Sequence, residues 1–212
     1  MILELVLASS NSNKIKELGA VASRWGFPLI GIDEYSRQNN ISPLGEIEET
    51  GSTYRENALI KAQTCFKWCG KPSLGDDSGL EVEILGGAPG IFSARYAGVG
   101  ASDSDKIKKL LSEIRSLESG DVSRSRKALF RSVLCLVASD SEAPVYFEGT
   151  LSGEVLDHPR GTRGFGYDPI IYIPELGGTL SEMMEEVVFE KGFRAKAAKE
   201  LFQYLKDLKS GS

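Results

Sequence analysis

The apolar residues of this chain fall into short dense runs that alternate with stretches of helical spacing. The first run, Ile2 to Ala8, reads as a strand, and SSNSNK follows it directly. Ile15, Leu18, Ala22 and Trp25 then recur on one helical face, closed by Gly26 and Pro28. PLIGI predicts a second strand, so the chain opens as strand, helix, strand. Residues 34–52 are polar and irregular, as in an exposed loop. Thr53 to Glu56 fits a capping box, and Tyr54, Ala58, Ala62, Phe66 and Cys69 carry an apolar face to Gly70. PSLGDDSGLEVEI predicts a strand, an acidic turn and a strand, and Ser102 to Leu117 a helix. The polar segment SGDVSRSRK is the expected boundary between two lobes. Residues 128–138 and 144–150 suggest a hairpin, LSGEVL a further strand, PIIYI another, and 194–208 a closing amphipathic helix. The pattern is that of an α/β protein with a sizeable, mixed sheet, organised as one domain over residues 1–212.

Composition narrows the function. The chain has 212 residues, enough for a core that needs no staples. A net charge of -5 argues against a polynucleotide-binding surface, whereas a local lysine cluster with a divalent cation still accommodates a nucleotide. Three cysteines and one histidine are too few for a disulfide framework or a zinc site of standard spacing. The N-terminal apolar run is too short for a membrane span and lacks the basic flank of a signal peptide, so a cytoplasmic protein is expected.

Three constellations carry candidate chemistry. Ser9, Ser10, Asn11, Ser12, Asn13 and Lys14 lie between a strand and a helix, where backbone N–H groups and the helix dipole favour an anion and Lys14 supplies charge. A capped helix with a solvated lysine reads the same way. Asp76 and Asp77, followed by Ser78, place two carboxylates side by side, which calls for a cation or for hydrogen-bond donors. A solvated Asx turn is the alternative. Glu48 and Glu49 could complete an oxygen-ligand set for Mg²⁺. Finally, Phe165, Gly166, Tyr167 and Asp168 sit in a glycine-rich loop that could present an aromatic ring and an acceptor to a base, or could anchor the loop to the core.

These constellations, in this order, resemble the inosine triphosphate pyrophosphatase family of non-canonical purine nucleotide pyrophosphatases. The similar stretches are LASSNSNKIKEL, ETGSTYRENALIKA, LGDDSGLEVEILGGAPGIFSARYAG and GTRGFGYDPIIYIPE. The resemblance implies an elongated, two-lobed α/β fold around a long mixed sheet, with a nucleotide cleft between the lobes. It also implies a homodimer and Mg²⁺-dependent cleavage of a nucleoside triphosphate between its α- and β-phosphates. Carried over by position, Ser9 to Lys14 bind phosphate and Lys61 adds charge there. Glu48 (or Glu49) and Asp77 hold the metal, and Asp77 positions or deprotonates water. Asp76 supports that site, Ser78 touches substrate, and Phe165 to Asp168 contact base and sugar.

The chain departs from the family near its C-terminus. Family members there carry Glu-Glu-Lys and then Ser-His-Arg, whose Lys, His and Arg grip the purine. Val188 and Phe193 stand where the Lys and His are expected, and only Arg194 is retained. The implied outcome is retained hydrolysis with relaxed or shifted base preference, unless Lys191 or Lys196 substitutes. Two readings compete with this one. A Maf-type pyrophosphatase shares the opening but normally has paired arginines that this chain lacks. A catalytically weakened nucleotide-binding homologue would explain the altered C-terminus.

Overall fold

A computed structural model of the chain describes residues 4–118 and 125–210. The strands are β1 (Leu5–Leu7), β2 (Leu29–Gly31), β3 (Ser73–Val82), β4 (Lys127–Val137), β5 (Val145–Val155), β6 (Ile171–Ile173) and β7 (Gly178–Thr179). They form one open sheet in the order β2-β1-β3-β4-β5-β6-β7. Strands β2 and β3 run parallel to β1, whereas β6 runs antiparallel to both β5 and β7, so the sheet is mixed as expected. The helices are α1 (Ser12–Arg24), α2 (Ile32–Asn39), α3 (Tyr54–Cys69), α4 (Asp103–Glu118), α5 (Glu185–Lys191) and α6 (Phe193–Ser210).

The chain divides into two compact units. The first comprises residues 1–77, 132–149 and 189–212; the second comprises 78–131 and 150–188. The changeovers at 77/78, 131/132 and 149/150 fall inside β3, β4 and β5. The expected boundary at SGDVSRSRK is therefore corrected. Residues 119–124 of it lie outside the described residues, and both Glu118 and Ser125 belong to the second unit.

In the first unit, strand alternation sorts the core into two layers. Leu5, Leu7, Leu74, Leu134 and Leu136 face α1 and α6, meeting Leu18, Val21, Ala22, Leu201, Phe202 and Leu205. The intervening Val6 and Ala8 pack with Ile30, Tyr35 and Cys65, and Val133, Cys135 and Val137 with Ala58 and Ala62 of α3. A sheet covered on both faces explains why these strands read as continuous apolar runs. Asn11 caps α1, accepting from the N–H groups of Asn13 and Lys14. Thr53 caps α3 by accepting from the Glu56 N–H, while the Glu56 carboxylate reaches Ser52 rather than closing a full box. In the second unit, Ile107, Leu110, Leu111 and Ile114 form the buried stripe of α4.

Two local expectations are corrected. Residues 32–39 form α2 rather than opening a loop: Ile32, Tyr35 and Ser36 bury one face and Asn40, at φ 52°, ends the helix in the left-handed region. More consequentially, β3 is one continuous strand of 10 residues, with Asp76 and Asp77 inside it and no acidic turn.

Candidate active site

The continuity of β3 decides where its two carboxylates go. Successive side chains of a strand point to opposite faces, so Asp76 shares the α1/α6 face with Leu74, and Asp77 shares the α3 face with Gly75. A Cβ on Gly75 would lie 2.0 Å from the Ala58 carbonyl oxygen and 2.9 Å from the Ala62 nitrogen. Only glycine lets β3 run this close to α3, and that approach brings Asp77 within reach of the helix.

Each carboxylate then meets cations of its own layer. Asp76, 2% exposed, accepts from Lys14 Nζ at 2.8 Å and Arg194 Nε at 3.2 Å on one oxygen, and from Ser132 Oγ at 2.8 Å on the other. Burial by itself would raise its pKa, but Lys14 and Arg194 overcome that and hold the carboxyl well below the usual range. Three cations gather near this one carboxylate, and burial with Lys61 and Arg194 lowers the pKa of Lys14 despite its pairing to Asp76. Asp77 accepts from Lys61 Nζ at 2.8 Å and from Asn57 Nδ2 at 3.3 Å. Here burial prevails over Lys61, and the Asp77 carboxyl is raised. Lys61 also meets Glu49 at 2.6 Å and donates to the Asp76 carbonyl at 3.0 Å. Burial opposes its charge, yet Asp77 and Glu49 outweigh that and raise its pKa.

Several predicted site residues thus come together in the first unit: Lys14, Lys61, Asp76, Asp77 and Glu49. Glu49 rather than Glu48 is the glutamate that joins them; Glu48 is exposed, because neighbouring side chains of that irregular segment diverge. Ser10, Asn11, Ser12 and Asn13 are exposed around the capped start of α1, with Ser9 half-buried, and Lys14 is paired to Asp76 rather than solvated. Arg194 is the residue whose placement departs most from expectation. It is 4% exposed, bonded to Asp76 and, at 2.6 Å, to Glu17 Oε2, with its guanidinium over the Phe193 ring. Phe193 is itself buried. Asn57, Ser132 and Glu17 were not singled out in the sequence. Asn57 had a signal, its place one turn into α3 within ENALIKA; Ser132 and Glu17 had none, since their partners lie far away in the chain.

In the second unit the glycine-rich loop is largely self-supporting. Asp168, 6% exposed, accepts from the Phe165 N–H at 2.9 Å. Tyr167, 5% exposed, donates its hydroxyl to the Ser93 carbonyl at 3.1 Å. Gly166 donates to Asp103 Oδ2 at 2.7 Å. These contacts fit the loop-anchoring alternative for Tyr167 and Asp168. Phe165 remains half-buried on the wall of a concavity of about 640 Å³, with Lys108, Arg115, His158, Thr162 and Arg163. Ser78 is half-buried on β3, and Val188 is half-buried on α5.

Comparison with known proteins agrees with the motifs. The model of the Ham1 family matches residues 5–204. The dITP/XTP pyrophosphatase of Vibrio cholerae is 38% identical over 205 residues, covering 96% of this chain and 97% of that protein. The enzyme of the same name from Coxiella burnetii is 41% identical, covering 86% of each. A solved structure of a Ham1 protein from Coxiella burnetii has a TM-score of 0.83 at 40% identity, covering 97% of this chain and 99% of that one. By its motifs, its sheet and these likenesses, the chain belongs to the Ham1 family.

Proposed function

We propose that this protein hydrolyses non-canonical purine nucleoside triphosphates (ITP, dITP and XTP) to the monophosphate and pyrophosphate, with Mg²⁺. The observation that carries the reading is the convergence of Asp77 and Glu49 on one cation position. Both carboxylates lie within 2.8 Å of the Lys61 ammonium. Two hard oxygen donors held together by one ammonium are the kind of pair that Mg²⁺ takes once Lys61 turns to the phosphates, with phosphate and water completing the shell. Asp77 and Glu49 would hold the ion, which supplies charge neutralisation on the polyphosphate. The names of the Vibrio and Coxiella relatives supply the substrate class.

The chain's own groups fit the remaining tasks. Asp77, with its pKa raised by burial, is the better proton acceptor of the pair and would orient and deprotonate the attacking water. Asp76, held ionised by Lys14 and Arg194, would stay a fixed charge that locates Lys14. Lys14 and Lys61 would neutralise phosphate charge as the leaving pyrophosphate develops it. Ser9 to Asn13 would line the phosphates, Ser78 would touch the substrate, and Phe165 with Gly166 would meet the base. Tyr167 and Asp168 shape that loop. We carry over a homodimer and a cytoplasmic setting as part of the same reading; no helix among the described residues is long and apolar enough to cross a membrane.

Val188, Phe193 and the burial of Arg194 favour a weaker grip on the purine than the family pattern implies. Pyrophosphate release should be measured from ITP, dITP, XTP, GTP and ATP, with and without Mg²⁺. Turnover that requires Mg²⁺ and discriminates only modestly against GTP is expected. A strong preference for ITP and XTP over GTP would remove the shifted-specificity part. Asp77→Asn should abolish turnover and leave the circular dichroism spectrum unchanged; an active Asp77→Asn protein would remove the catalytic assignment.

A further inference from the structure

Resting on that reading, we infer that Asn57 is a positioning residue that ties the segment carrying Glu49 to the Asp77 carboxylate through a single side-chain amide. Asn57 is fully buried at the start of α3. Its Oδ1 accepts from the Gly51 N–H at 2.8 Å, and its Nδ2 donates to Asp77 Oδ2 at 3.3 Å. The direction of the amide is dictated by its neighbours, because a peptide N–H can only donate and an ionised carboxylate can only accept. One planar group therefore sets the distance between the backbone two residues after Glu49 and the side chain of Asp77.

The surroundings leave that amide little freedom. A Cβ on Gly51 would lie 2.6 Å from Asn57 Oδ1 and 2.6 Å from Glu56 Cβ, so the segment packs directly on the first turn of α3. Glu56 Oε2 accepts from the Ser52 N–H at 2.6 Å and from its hydroxyl at 2.8 Å. The residues that follow Glu49 are thus fastened to the same helical turn that carries Asn57, and Lys61, one turn later, meets both Glu49 and Asp77. Hydrogen bonds that orient metal-holding carboxylates commonly govern affinity by 10–100-fold when removed. Asn57 is suited to that role for the pair that Lys61 bridges.

The test uses Mn²⁺ alone as the probe, titrated into the full chain without nucleotide, beside kcat and KM for dITP with Mg²⁺. Asn57→Ala is compared with Leu18→Ala, a core truncation on the opposite face of the sheet that lowers melting temperature without touching this network. Asn57→Ala should weaken Mn²⁺ binding about 10–100-fold and lower kcat with little change in KM, while Leu18→Ala changes neither beyond twofold. Gly51→Ala, which crowds the same amide from the loop side, should reproduce the loss, and it serves if Asn57→Ala does not fold. Mn²⁺ affinity in both Asn57→Ala and Gly51→Ala equal to that of Leu18→Ala would overturn the inference while leaving the proposed reaction standing. A parent protein that binds no Mn²⁺ and releases no pyrophosphate from dITP would overturn both.

Discussion

Two glycine-to-alanine changes in the first unit should move the protein in opposite directions. In β3, the new Cβ of Gly75→Ala would start 2.0 Å from the Ala58 carbonyl oxygen, where ordinary contact begins near 3.4 Å. Strand and helix must separate by about 1.4 Å to admit it. Overpacking of this kind costs about 1–3 kcal/mol, or a melting temperature lower by about 2–12 °C for a chain of this size. The displaced residues include Asp76 and Asp77, and a misplacement of about 1 Å can reduce turnover by about 100-fold. Gly19 lies within α1 with nothing inside 4 Å of its would-be Cβ. Gly19→Ala should therefore stabilise by about 0.4–1 kcal/mol through the unfolded chain and leave kcat alone. Differential scanning fluorimetry and pyrophosphate release on the two proteins check both signs. A Gly75→Ala protein that melts within about 1 °C of the parent, less than the roughly 2 °C that the smallest of these costs requires, and turns over normally would refute the close-approach argument.

Other outcomes follow from the ionic cluster and the loop. Arg194→Leu leaves the fully buried Asp76 side chain short of one cation and should cost about 3 kcal/mol, read as a melting temperature lower by about 6–12 °C; a loss under 2 °C (below about 1 kcal/mol) would deny it that anchoring role. Stability should also fall in acid through Asp76. Its folded pKa lies below the unfolded value, so its contribution is complete above the ordinary carboxylate range and declines as pH falls below it; Asp76→Asn should flatten that decline in an acid titration. Tyr167→Phe removes the donor to the Ser93 carbonyl and should cost about 1 kcal/mol of stability with less than a threefold change in KM; a large rise in KM would instead put the Tyr167 hydroxyl on the substrate.

Local pattern was enough for most elements but not for the centre of the sheet. Ile15, Leu18 and Ala22 announce α1, and Thr53 with Gly70 bounds α3, because these signals lie within one or two helical turns. The sequence pattern divides β3 into two strands, since a pair of aspartates inside a central strand is disfavoured unless cations answer it. Those cations come from Lys14, Lys61 and Arg194, up to 118 residues away, and nothing local to β3 reports them. Helix α2 was legible in the spacing of Ile32 and Tyr35 and in Asn40, but its polar surface suggested a loop. At the site, residue types and order pointed to side chains that the fold brings together around β3, whereas Glu49 rather than Glu48 joins them because of which neighbour turns inward. The resemblance assigns Arg194 to a base; its bonds to Glu17 and Asp76 required the fold.

The opposed orientation of Asp76 and Asp77 also guards the registration of the sheet. A strand that slips by one residue exchanges its two faces. In β3 a slip that puts Gly75 in the place of Asp76 would turn Asp76 toward α3, leaving Lys14 without its carboxylate and Arg194 with Glu17 alone. A stranded ion costs several kcal/mol, a large part of the stability of a domain, about 5–15 kcal/mol. The same charges that suit the site to a polyphosphate therefore penalise the mispaired sheet and favour the register of β3 that assembles the site.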